Sequence, residues 1–280
     1  MKLTEVSSGT AQQFKGEASS VNELLASIED GRFTLDGRKL VVPGDLLLMR
    51  CGLTSLLGCP QHVQGNFICT YNKLETLEGA PQQVGGHFIC YRNQLKTLRG
   101  APQQIDGGFD CSFNQLETLE DGPIKVGRSY SCNNNKLISL KGMPSSINGD
   151  FSCGNNLLTS FDSCARTIKG NLYSFNNKLL TSLEGGPSFV GKDVRLDNCP
   201  RLISLQNIHL YFPEIRGSFE LINTGVKEHM LGLLLVRGLR DIILDDAKLG
   251  AILRKYLNKG NLLVCALELA EAGYEKQAKL

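Results

Sequence analysis

Apolar residues recur along most of this chain every 21 positions, a period far longer than the 3.6 of a helix or the 2 of a strand. Cys69, Cys90, Cys111, Cys132 and Cys153 share one column, and the same step reaches back to Leu48 and forward to Ser174. Two residues before that column run Phe67, Phe88, Phe109, Tyr130, Phe151 and Leu172. Leu74, Leu95, Leu116, Leu137 and Leu158 follow five residues after it, and Leu77, Leu98, Leu119, Leu140 and Phe161 eight residues after it. Within each row the Phe and Cys positions alternate with variable residues, which predicts a short strand with one buried and one solvated face. Stacked rows then predict one parallel sheet.

A polar column interrupts the apolar ones. Asn72, Asn93, Asn114, Asn135, Asn156 and Asn177 stand three residues after the cysteine column, with Cys51 and Cys199 at its two ends. An inward amide at the point where the chain leaves a strand can pair backbone groups of its own and the adjacent turn, so this column is expected to be a structural ladder. The return segment carries Pro60, Pro81, Pro102, Pro123, Pro144 and Pro187 and is too short for a full helix. Extended, polyproline-like or single-turn 3₁₀ backbone is the expectation there.

The whole unit reads G-x-F-x-C-x-x-N-x-L-x-[ST]-L-x-G-x-P-x-x-[VI]. A period of 20 to 29 residues carrying L-x-L-x-x-N-x-L is the leucine-rich-repeat signature, and the chain resembles that family from about Asp45 to Thr224. In repeat length it is similar to the short class of enterobacterial type III effectors. It is closer still to the GAPxxVGGxFxC arrays of tailed-bacteriophage proteins. The resemblance implies a leucine-rich-repeat solenoid of about eight to nine repeats over residues 45–224. Its single parallel β-sheet would form the concave face, with an extended or 3₁₀ convex side. An extra leucine at Leu179–Leu180 and a stretched return through NIHLYFPEI depart from strict register after Ser174.

The flanks lack the repeat. Residues 1–44 are expected to form an N-terminal cap: Val21, Leu24, Leu25 and Ile28 have helical spacing, and FTLDGRKLVV reads as a hairpin around Asp36-Gly37. Residues 225–280 are expected to form a small helical C-terminal cap. Val226, Met230, Leu233 and Leu234 predict one helix, and Asp245 or Asp246 caps a second that buries Leu249, Ile252, Leu253, Tyr256 and Leu257. A third runs from Leu262 to Ala272 and stops at Gly273.

Composition narrows the chemistry. Thirty Lys and Arg against 28 Asp and Glu leave a net charge of +2 without a long single-sign run, which argues against nucleic acid or an anionic membrane as a partner. The longest apolar stretches fall far short of the roughly 20 residues a bilayer requires, and MKLTEVSSGT has no apolar signal core. A cytoplasmic location follows, the host cytoplasm if the chain is phage-encoded. The ten cysteines include no C-x-x-C pair, and His62, His87, His209 and His229 lack zinc-ligand spacing, so neither metal nor cofactor is expected. Column cysteines should be reduced and buried, Cys59 and Cys164 half exposed. Cys265 is the single candidate nucleophile and has no identifiable base.

The solvent face of the sheet is what remains for specificity. Leu47, Ile68 and Ile89 make an apolar column flanked by Met49, Tyr71, Tyr91, Arg92 and Phe113, and Tyr173 with Phe175 reappear later. Asp45, Asn66, His87, Thr70 and Ser112 count among the outward positions as well. Aromatic residues and Arg on a solvated surface have the composition of a protein-binding hot spot. The sequence therefore points to a non-enzymatic module that holds a protein on its concave face. The phage resemblance implies a bacterial host or phage protein as partner, for instance a defence protein that the module inhibits. A structural or self-assembling virion component, with a homo-oligomer as its partner, is the alternative; an enzyme using the C-terminal helices is a second.

Overall fold

The computed structural model describes residues 4–8, 11–15, 34–36 and 39–280, with side chains from Val41 onward. The chain is a parallel β-solenoid of about 21-residue turns with a small C-terminal helical region. It divides into two compact units, Met1–Lys136 with Gly142–Pro144 and Leu137–Lys141 with Ser145–Leu280.

In the first unit, strands Asp45–Leu47, Phe67–Ile68, Phe88–Ile89, Phe109–Asp110 and Tyr130–Ser131 form a parallel ladder. Its register pairs Leu46 with Phe67, Phe67 with Phe88, Phe88 with Phe109 and Phe109 with Tyr130. Identical columns therefore stack directly. Consecutive ring centroids lie 4.9, 5.6 and 5.2 Å apart from Phe67 to Tyr130, all tilted or edge-on, the arrangement that the ring quadrupole favours. Phe, Cys and both Leu columns are buried.

The expectation of a single sheet is corrected. The return segments are extended but also pair: Lys39–Val42, His62–Val63, Gln83–Val84, Gln104–Ile105 and Lys125–Val126 form a second parallel ladder. A constant turn length places each extended return beside its copy, so N–H and C=O groups that follow the proline bond to the neighbouring turn. Val63, Val84, Ile105 and Val126 point inward from this ladder and close the core from the other side. No 3₁₀ turn occurs in the described return segments of the repeats; the 3₁₀ helix is Met230–Leu235.

Each turn also needs a sharp corner before its proline. Gly58, Gly79, Gly100 and Gly142 have positive φ there, and a Cβ on Gly79 would lie 2.6 Å from the Leu56 carbonyl oxygen. Glycine is the residue that pays no steric penalty in that geometry.

The hairpin expected around Asp36-Gly37 is present, with Thr34–Asp36 antiparallel to Lys39–Val41. A second pair, Thr4–Ser8 with Ala11–Lys15, extends the first ladder by laying Ala11–Gln13 parallel to Asp45–Leu47. The helix expected at Val21, Leu24, Leu25 and Ile28 lies outside the described residues.

In the second unit, Phe151–Ser152, Leu172–Tyr173, Val194–Arg195, Ser218–Leu221 and Asp241–Leu244 form the equivalent first ladder. Ser146–Ile147, Thr167–Ile168 and Phe189–Val190 form the equivalent second one. Strand pairing thus continues beyond Thr224, to Asp241–Leu244. Longer returns absorb the extra residues without breaking register: NIHLYFPEI contributes the one-turn helix α1, Ile208–Tyr211, while Val194 still pairs with Phe219. Helix α2, Ala247–Tyr256, begins at Asp246, whose Oδ1 accepts the Leu249 N–H at 2.9 Å. It buries Leu249, Ile252, Leu253 and Tyr256, as the helical spacing predicts. Helix α3, Leu262–Glu271, buries only Cys265 and Leu269 and ends near Gly273, whose φ is +88°. The helix expected around Val226–Leu234 is instead the 3₁₀ segment Met230–Leu235.

Candidate protein-binding face

The inner asparagine column has the expected structural role. Asn72 Nδ2 donates to the carbonyls of Leu48 and Cys69 at 2.7 and 3.0 Å, and its Oδ1 accepts the N–H groups of Cys51 and Leu53 at 3.0 Å. Asn93, Asn114 and Asn135 repeat the pattern, with Oδ1 accepting from Leu74, Leu95 and Leu116. In the second unit Asn156 accepts from Leu137, and Asn177 donates to the Cys153 carbonyl. Asn72, Asn114, Asn135, Asn156 and Asn177 are buried, which takes their amides out of reach of a partner.

A second polar ladder was not recognised in the sequence. Asp45 Oδ1 accepts the Asn66 N–H at 2.6 Å, Asn66 Oδ1 accepts that of His87 at 2.7 Å, and His87 Nδ1 accepts that of Gly108 at 2.9 Å. Asp150, Asn171 and Asp193 do the same in the second unit, toward Asn171, Asp193 and Ser218. Asp45, Asn66 and His87, counted as outward specificity positions, are therefore strand-entry caps. Their column of Asp, Asn, His and Ser, residues that bond nearby backbone, was the signal. Thr70 and Ser112 are likewise buried, because small side chains sit low in a column whose other members include Met49 and Tyr91.

What stands out from the first unit is a corner two residues after the cysteine column. Arg50, Tyr71, Arg92 and Phe113 occupy it, all with φ of 55–56°. This left-handed region costs an L-residue with a bulky side chain roughly 1–2 kcal/mol, and Asn is among the side chains that tolerate it. Their side chains stack in sequence. The Arg50 guanidinium lies 4.6 Å from the Tyr71 ring centroid, that of Arg92 lies 5.2 Å from Tyr71 and 4.8 Å from Phe113. Tyr91 meets Tyr71 edge-on at 5.3 Å. A hydrogen bond with Tyr91, then the charges of Arg92 and Arg50, hold the Tyr71 phenol below its ordinary pKa; the same bond raises that of Tyr91.

The structure thus brings Tyr71, Tyr91, Arg92 and Phe113 together and adds Arg50, which the binding set had omitted. Tyr71 and Phe113 are 36% and 44% exposed. Leu47, Ile68 and Ile89 lie in register beside them as half-buried residues, with Met49 also half-buried. Tyr173 and Phe175 belong to the second unit. There Phe175 packs over Gly154, and burial followed by the Asp150 charge raises the Tyr173 phenol.

The remaining chemistry is quiet. The thiols are pushed upward by burial, Cys51 of the asparagine column to about 11 and Cys153 of the cysteine column to about 12. Cys59 is buried, against the half-exposed expectation, because it shares a return column with the buried Ala80 and Ala101; Cys164 is half-buried. Cys265 is buried with its thiol raised to about 11 by burial and then Glu268, the opposite of what a thiolate nucleophile requires. Among the described residues, no cluster of three or more His, Cys, Asp or Glu could hold a metal ion, and no helix is long and apolar enough to cross a membrane. A cleft of about 370 Å³ on the second ladder is lined mainly by Gln82, Gln83, Gln103, Gln104, His62 and Asp106, without a nucleophile and base pair. Compared with known proteins, the chain matches no family model and no curated protein.

Proposed function

We propose that this chain is a non-enzymatic protein-binding module that holds its partner on the outer face of the first ladder, centred on Tyr71, Tyr91, Arg92 and Phe113. The observation that carries the reading is the corner column: four large side chains stacked in a backbone conformation that disfavours them, beside the half-buried apolar column of Leu47, Ile68 and Ile89. Strain held at a solvent-facing aromatic and arginine cluster is the combination expected of a recognition surface. The resemblance of the module's repeat to those of the short leucine-rich-repeat proteins, and more closely to the tailed-phage arrays, supports this reading. Its partner is then a host or phage protein in the bacterial cytoplasm.

The test starts from affinity purification of the tagged chain from expressing bacteria, followed by mass spectrometry and a binding constant for the captured protein. Tyr91→Ala with Phe113→Ala should leave thermal stability nearly unchanged and weaken binding by on the order of 2 kcal/mol or more per hot-spot residue. Asn133→Ala with Asn155→Ala is the matched control. Normal binding by the aromatic variant together with loss in the control would move the site to the polar turns.

A second reading, a self-assembling component, is favoured by one feature: Leu263, Val264 and Leu267 of α3 are 74%, 51% and 57% exposed on one helix face. Light scattering on the purified protein separates it from the first, since self-assembly through α3 would be abolished by Leu263→Glu with Leu267→Glu.

A further inference from the structure

We propose that Arg50 and Arg92 receive two carboxylates of an extended acidic segment in the partner, placed three residues apart. The inference rests on the protein-binding reading and specifies the partner's chemistry. Both guanidiniums are exposed, and neither has a carboxylate partner among the described residues. Elsewhere on the surface Arg99 pairs with Glu78 at 2.8 Å, Arg216 with Glu214 at 2.9 Å and Arg237 with Glu214 at 3.6 Å. Other surface arginines also lack an acid, but Arg50 and Arg92 differ from those in being held in place. Both lie over the Tyr71 ring, Arg50 from the turn before and Arg92 from the turn after, and Arg92 also lies over Phe113. A guanidinium whose plane is already set by an aromatic face loses less rotamer freedom when it takes a carboxylate in its two-pronged geometry.

Spacing supplies the rest. Arg50 and Arg92 are two turns apart with Tyr71 between them, and turns of a parallel ladder repeat at about 4.8 Å, so the two charges are separated by about 10 Å along the stack. A polyproline-II segment advances about 3.1 Å per residue with three residues per turn, which presents every third side chain on one side at about 9.3 Å. Acids at i and i+3 therefore meet both guanidiniums. Apolar residues between them can lie over Leu47, Ile68 and Ile89. Asp110, the one carboxylate next in that apolar column, bonds the Ser112 N–H at 2.9 Å and is thus occupied locally.

Synthetic peptides of four Glu-Pro-Pro repeats and four Gln-Pro-Pro repeats test the proposal by titration against the intact chain in low and physiological salt. The acidic peptide should bind at least ten times more tightly than the neutral one. Arg50→Gln and Arg92→Gln should each weaken it roughly tenfold and together abolish it, with unchanged circular dichroism melting as the folding control. Equal binding of the two peptides, or no effect of the double variant, overturns the proposal. So does tighter binding of a twelve-residue thymidine oligonucleotide than of the acidic peptide, which would assign the arginines to phosphate. The captured partner separates the two levels of inference. If Tyr91→Ala with Phe113→Ala releases it while Arg50→Gln with Arg92→Gln does not, the face binds protein but not through acids; if the aromatic variant also retains it, the face itself is wrong.

Discussion

The same backbone corner is solved in two ways in the two units. In the second unit the left-handed position two residues past the strand is held by Asn155, Asn176, Asn198 and Asn223, with φ between 53° and 57°. Those amides bond one another along the surface: Asn176 Nδ2 donates to Asn155 Oδ1 at 2.9 Å and Asn223 Nδ2 to Asn198 Oδ1 at 2.6 Å. In the first unit Arg50, Tyr71, Arg92 and Phe113 stand at equivalent positions, and only Asn134 follows the other rule. Sterics alone would favour Gly, Asn or Asp at all of them, as Gly58, Gly79, Gly100 and Asp121 show at the other corner of the turn. Cation–π contacts of about 0.5–1 kcal/mol each at exposed sites offset part of the strain. The first unit's corner thus departs from what backbone sterics favour, whereas the second unit's corner follows it.

The contrast is confined to the outside, and the inner column sets its baseline. Asn135→Ala in the first unit and Asn156→Ala in the second each strand buried backbone groups, Leu116 N–H and the Cys111 carbonyl in one, Leu137 N–H and the Cys153 carbonyl in the other. Each should cost about 3 kcal/mol in urea unfolding. A large inequality between them would mean that the units differ inside as well as out. The corner swap comes next in size. Asn155→Phe should lose about 1 kcal/mol, while Phe113→Asn should change stability by less than that, since relief of strain and loss of the Arg92 contact oppose each other. If Asn155→Phe proves neutral, the left-handed corner exerts no selection on side chains and the first unit's residues need no special explanation. The smallest effect is spectroscopic. Arg92→Gln removes one of the charges that lower the Tyr71 phenol, so its pKa should rise toward the ordinary tyrosine value, as followed by ring-carbon NMR through alkaline titration. An unchanged Tyr71 titration would break the proposed stack.

Much of this architecture is readable from spacing because a solenoid converts sequence period directly into contact. Phe88 packs on its copies Phe67 and Phe109, 21 residues away on either side, so one column identifies both a residue and its neighbours. The second ladder was illegible for the complementary reason. Its strands, such as Gln83–Val84, are two residues long, with one inward Val, and offer no alternation to detect. Asp45, Asn66 and His87 differ in chemistry but share one acceptor function, so a search for identical residues passes over them. Arg50 was missed because its importance comes from a ring on the next turn. Asp241–Leu244 reads as part of a helical tail, since its turn differs in length from those before it.

The cysteine column has a consequence for the life of the chain in a cell. Nine of the ten thiols are buried and Cys164 is half-buried, and those for which burial raises the pKa, such as Cys51, Cys153 and Cys199 at about 11 to 12, carry almost no thiolate at neutral pH. Oxidants therefore reach them mainly through local opening, so folding itself guards the reduced state. A newly made chain has no such guard. Until its turns close, equally spaced thiols are free to mispair, and neighbouring cysteines of the column differ by one turn only, so a single wrong disulfide would lock the stack out of register. Speed of closure, as much as final stability, is what this sequence must secure.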